Sequence, residues 1–155
     1  MPWREIFQTS ARVHGSSAPL LTVHVVPVVH NKLLTFKVEA LVAADRCLPW
    51  TLLDFGTNPY EAAAVLLEEW CDGADVLDLR LVDVISRTGQ DDGWELAIIF
   101  RGELRAGPVA GIDREPLICE AGDIEPLNGF MVVDLERWLV TESYAELRSS
   151  SRLVF

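Results

Sequence analysis

Glu68 and Glu69, joined by a loop acid such as Glu120, are the residues of this chain whose types could hold a divalent cation. Magnesium and manganese take several hard oxygen ligands, and phosphoryl chemistry uses those ions to neutralise developing charge and position water. Carboxylates four residues apart on a helix meet on one face. Glu120, Asp123 and Glu125 form a second acidic group, which by itself reads as a solvated loop. His24 and His30 fall on one face of a strand, too far apart to share a metal unaided, and read as core or surface histidines. Cys47, Cys71 and Cys119 are odd in number and widely spaced, which suits free thiols in a reducing compartment better than a disulfide framework or zinc site. No Gly-rich phosphate loop follows a strand, and no nucleophile-elbow pattern occurs.

The carboxylates must be carried by a helix, and the sequence predicts one from Asn58 to Cys71. Asn58 can cap it, Pro59 suits the first turn, Glu61 stands at the capping-box position, and Asp72-Gly73 stops it. Before it come a β-branched strand, Thr22 to His30, with Pro27 marking an edge or bulge, and an alternating strand, Leu34 to Val42. An extended piece, Leu48 to Phe55, leads into the helix. Val76 to Arg87 and Trp94 to Leu104 read as two further strands joined by a polar turn. Residues 106–128 are a Gly-, Pro- and acid-rich connection of a length at which loops are usually functional. Gly129 to Val133 reads as a last short strand, Asp134 to Val140 as a helix, and Ser143 to Arg148 as a second short helix.

That order, with the local sequence, resembles the Nudix hydrolase family over about residues 20–140. Pro49 opens the segment corresponding to the family's signature, Gly56 falls on its glycine, and Asn58-Pro59-Tyr60-Glu61-Ala62-Ala63 resembles its helix start. Glu120 to Leu127, followed by Gly129 to Leu135, resembles the family's acidic loop, final strand and closing helix. The resemblance implies an α+β fold, an α/β/α sandwich around a mixed central sheet. It also exposes departures. Trp50 and Thr51 stand where the family has glycines, Thr57 where it has a glutamate, Val65-Leu66 where it has Arg-Glu, and Glu69-Trp70 where it has Glu-Glu. Sliding by one residue puts Glu68-Glu69 on the acid pair but Ala64-Val65 on Arg-Glu. The Nudix box is therefore degenerate, and a carboxylate flanked by aliphatic and indole groups is a poor magnesium site.

The helix is apolar nearly all round, with Ala63, Leu67 and Trp70 or Cys71 expected on the sheet and Val65, Leu66 and Glu69 looking outward. Another subunit, an apolar ligand, or the terminal segments ending in Leu153-Val154-Phe155 would have to cover that side. Trp50, Val65, Leu66 and Trp70 are thus the candidate ligand or interface residues.

The chain has 155 residues, of which 50% are hydrophobic, enough for one domain with a real core, with 1–19 and 141–155 as terminal extensions. With 24 acidic against 13 basic residues and a net charge of −11, it should repel phosphate backbones, and nucleic acid is not an expected partner. No stretch is apolar enough for a membrane span, no signal peptide is read, and a cytoplasmic address is expected. The expected function is a non-catalytic ligand-binding or regulatory homodimer without a cofactor or metal. The alternative is a divergent hydrolase of nucleoside diphosphate-linked substrates, using magnesium or manganese with Glu68, Glu69 and Glu120.

Overall fold

A computed structural model describes residues 19–38, 46–72, 74–88, 93–108 and 114–140. Among them seven strands form one mixed sheet: β1 (Leu20–Val29), β2 (Lys32–Val38), β3 (Arg46–Cys47), β4 (Trp50–Leu52), β5 (Val76–Thr88), β6 (Trp94–Leu104) and β7 (Arg114–Cys119). Two α-helices accompany it, α1 (Pro59–Trp70) and α2 (Val132–Val140). Neither is long and apolar enough to cross a membrane.

β1 is the spine of the sheet. Its whole length runs parallel to β6, from Leu20 opposite Glu95 to Val29 opposite Leu104, and β5 continues the sheet antiparallel to β6. The other edge of β1 is shared: β4 pairs with Thr22 to His24, and β2 with Val28 and Val29. The Val25 N–H on that edge reaches the Pro49 carbonyl at 2.9 Å. N–H directions alternate along a strand, so the hydrogen Pro27 lacks would have pointed into the gap between β4 and β2. The proline therefore interrupts no ladder. His30 and Asn31, both at positive φ, make the two-residue turn into β2.

Period-two alternation of β1 builds two cores. Val23, Val25 and Val29 pack with Leu34, Phe36, Phe100 and Leu104 against Ala63, Leu66, Leu67 and Cys71 of the α1 side. Val26 and Val28 pack with Leu33, Leu48, Ala97 and Ile99 against Leu135, Trp138 and Leu139 of α2. One helix thus covers each face, as the α/β/α expectation required. Gly102 lets α1 approach β6, since a Cβ there would lie 2.8 Å from Leu67 Cδ1. Asn58 caps α1, its Oδ1 accepting from the Tyr60 N–H at 2.8 Å.

The structure departs from the expected elements in the second half. β7 lies inside the segment expected to be a loop and pairs with β2 along Leu33 to Val38. Its Pro116 reads as a strand breaker, yet β7 is an edge strand, where a missing donor is tolerated. The strand expected from Gly129 to Val133 is a tight turn: Asn128 and Gly129 take positive φ, Phe130 bridges back to Leu127, and α2 begins at Val132. The short helix expected from Ser143 to Arg148 lies outside the described residues.

Candidate functional site

Helix periodicity decides what the signature helix can offer. Ala63, Leu66, Leu67 and Cys71 recur at the spacing of one helical face and are all buried. Leu66 is only 3% exposed, so the expectation that it looks outward is corrected: it belongs to the inward stripe and fills the core beside Leu67. The outer side carries Tyr60, Glu61, Val65, Glu68 and Glu69, with Val65 at 50% exposure as its one exposed aliphatic residue. It is a mostly polar face rather than an apolar one. Trp70 is half-buried. Its ring meets Phe36 edge-on at 5.4 Å, and the Arg114 guanidinium covers it at 4.3 Å while donating to the Glu69 carbonyl at 3.1 Å.

Glu68 and Glu69 are thus exposed, and Glu120 is occupied elsewhere in an exposed ion pair with Lys32 at 2.8 Å. Among the described residues no group of three or more His, Cys, Asp or Glu could hold a metal ion. Among the described residues the donors do not converge as the magnesium or manganese implied by the Nudix resemblance requires, since those ions need several oxygens around one point. Trp50 is separated from the helix residues altogether. Its register opposite His24 places it on the α2 face of the sheet, away from Val65 and Trp70.

Under Trp50 lies a polar cluster that the sequence reading did not assemble. Thr22 and His24 of β1, Glu95 of β6, Arg87 of β5 and Asn128 of the turn before α2 converge there, and the first three are buried. Thr22 donates to Glu95 Oε2 at 2.6 Å, and Arg87 donates to both Glu95 oxygens, at 3.0 and 3.3 Å. His24 Nε2 stands 3.0 Å from Thr22 Oγ1 and 3.4 Å from Glu95 Oε2. Its Nδ1 stands 2.9 Å from Asn128 Nδ2. Aromatic groups close the cluster: Trp50 stacks over His24, Phe130 meets His24 edge-on at 4.9 Å, and Arg87 lies 4.0 Å over the Phe130 ring.

The proton positions in this cluster follow from its connections. The Leu48 N–H donates to the Asn128 side chain at 3.0 Å, which makes that end Oδ1 and the other end the amide donor. Asn128 Nδ2 then donates both to the Leu48 carbonyl, at 3.2 Å, and to His24 Nδ1. His24 must accept at Nδ1 and carry its hydrogen on Nε2, where it donates to Thr22. Burial drives the His24 pKa below its ordinary value and outweighs the pull of Glu95 toward the charged form. Burial alone would raise Glu95, but hydrogen bonds from His24, Arg87 and Thr22 and the Arg87 charge prevail and hold it at about 2. The result is one matched ion pair, its carboxylate buried and its guanidinium partly so, beside a neutral imidazole. A signal for this existed in the sequence: Thr22 and His24 share one face of a strand otherwise too apolar to be wet.

No protein-family model matches the sequence, and no curated protein matches it. Solved structures do. A NUDIX hydrolase from Nitrosomonas europaea superposes with a TM-score of 0.60 at 16% identity, over 78% of this chain and 88% of that one. A MutT NUDIX hydrolase from Burkholderia pseudomallei gives 0.60 at 20% identity, over 80% and 99%. The NUDIX domain of Shewanella oneidensis NrtR, complexed with ADP ribose, gives 0.58 at 15% identity, over 91% and 97%. Likeness at such identities speaks for architecture rather than chemistry, and by architecture this chain has the Nudix fold.

Proposed function

We propose that this chain is a ligand-binding domain built on the Nudix fold, and that it does not hydrolyse pyrophosphates with a metal. The observation that carries the reading is the outer side of α1, where Val65 stands among dispersed carboxylates, Leu66 is turned into the core and Trp70 is sheathed by Arg114. Phosphoryl transfer draws almost all its acceleration from positioned charge, and this face supplies no convergent set. A nucleoside diphosphate-linked compound is the ligand class to try, because a domain of this fold binds ADP ribose. A regulatory homodimer belongs to the same proposal, with Val65 and the exposed edge of Trp70, or Trp50 on the other face, at the contact and Leu66 behind it in the core.

The test is calorimetric titration with ADP-ribose, paired with a hydrolysis assay in magnesium or manganese and sedimentation of the protein. Saturable binding without turnover is the expected result. Turnover well above background that Glu69→Gln abolishes would overturn the proposal and favour the divergent hydrolase.

A further inference from the structure

We propose that the Asn128 side chain is a proton-sensitive latch, which closes the Leu48–Trp50 segment onto β1 while His24 is neutral and opens when His24 takes up a proton. The Asn128 side chain ties three elements together. Its Oδ1 and Nδ2 hold the N–H and C=O of Leu48 in the connection to β4, and the same Nδ2 reaches His24 of β1. Asn128 itself sits at φ +52, a left-handed conformation that asparagine tolerates but that neighbouring contacts must maintain.

Protonation of His24 turns Nδ1 from acceptor to donor, so two N–H groups would face each other across 2.9 Å. Rotating the Asn128 amide cannot relieve this. The opposite orientation would set Nδ2 against the Leu48 N–H and Oδ1 against the Leu48 carbonyl, breaking two contacts to restore one. Groups from β1, β4, β5, β6 and the turn before α2 surround His24. Glu95 on β6 favours the cation, but Arg87 on β5 already matches its charge. Thr22 on β1 is neutral, as are Trp50 on β4 and Asn128 and Phe130 in the turn. A protonated His24 would therefore add one unmatched buried charge, and displacing Asn128 is the route by which it reaches water. Trp50, stacked on the imidazole, moves with it.

Histidine-selective NMR of the intact chain, combined with amide hydrogen exchange, tests this. At neutral pH the His24 ring nitrogens should report a hydrogen on Nε2 alone. On acidification the Leu48 amide should lose at least tenfold of its protection, after correction for intrinsic exchange, in step with His24 and before global unfolding. Asn128→Asp should raise the His24 pKa, because a carboxylate accepts from the protonated ring. A hydrogen on Nδ1 at neutral pH, Leu48 protection unchanged through the His24 titration, or a His24 that titrates only with global unfolding would each overturn the latch. So would a folded Asn128→Asp protein with an unmoved His24, and if that variant does not fold, the wild-type measurements decide.

Discussion

The indole nitrogen of Trp138 donates to Asp83 Oδ2 at 2.8 Å, and this bond joins α2 to the edge strand β5. A register shift between Leu81 and Asp83 makes it possible. The irregularity lets Val82 enter the α2-side core while Asp83 still reaches the same helix, where it also accepts from Arg137 at 3.1 Å. Trp138 is wholly buried, so its N–H has no water to fall back on.

Trp138→Phe should therefore cost about 1–3 kcal/mol in denaturant unfolding, with Asp83→Ala in the same range. The double variant should lose less than the sum, because both changes remove one shared bond. Strict additivity would show that the indole and the carboxylate do not communicate.

Leu66 and Val65 are neighbours in sequence with opposite fates. Leu66→Ala should destabilise by about 2–5 kcal/mol through a core cavity, and Leu66→Glu should unfold the domain rather than dissociate an assembly. Val65→Ala should stay within about 0.5 kcal/mol. Circular dichroism melts of the three proteins check this, and a folded, monomeric Leu66→Glu would return the residue to an interface.

Acid should weaken the fold in two stages. His24 has a folded pKa below its ordinary 6.5, so the unfolded chain binds that proton first and stability begins to fall as pH drops below about 6.5. Glu95 moves from an ordinary 4.5 to about 2 in the fold. Its contribution, on the order of 3 kcal/mol, is complete above pH 4.5 and drains away as pH falls toward 2. Urea denaturation at stepped pH should show both stages, and a Glu95→Gln protein should lack the second. A stability flat from neutral to pH 4 would contradict the buried, neutral His24.

Gly102→Ala should cost about 1–3 kcal/mol, because the new methyl group would meet Leu67 Cδ1 at 2.8 Å and Leu67 is fully buried. Adding Leu67→Ala should recover less of the loss than its own cavity costs. Thermal melts of the single and double variants decide whether α1 rides on β6 as closely as the structure has it.

Much of the architecture was legible because it is local. The β-branched run of β1 and the cap of α1 are written in adjacent residues, and hydrogen bonding honours them in place. The resemblance to the Nudix family, carried by separate segments, pointed to the same layered fold. What failed depended on neighbours distant in sequence. β7 exists because β2 offers an unpaired edge that a Pro-containing segment can complete, and the turn at Asn128 exists because Leu48 and His24 wait to receive its amide. Leu66 was misplaced because composition cannot say which side of an apolar helix meets the sheet.

The sequence by itself determined which side chains the helix carries, and Val65, Leu66 and Trp70 offer no carboxylate in any fold. Only the tertiary structure decided where charge would be buried. Thr22, Glu95 and Asn128 lie far apart along the chain, with Arg87 set opposite Glu95 by the β5–β6 pairing, and their types alone suit a solvated surface as well as a core. The parallel pairing of β1 with β6 and the closing turn before α2 bring them around His24. Away from water, a carboxylate needs a guanidinium and hydrogen-bond donors from separate strands, and that requirement is met by topology rather than by sequence spacing.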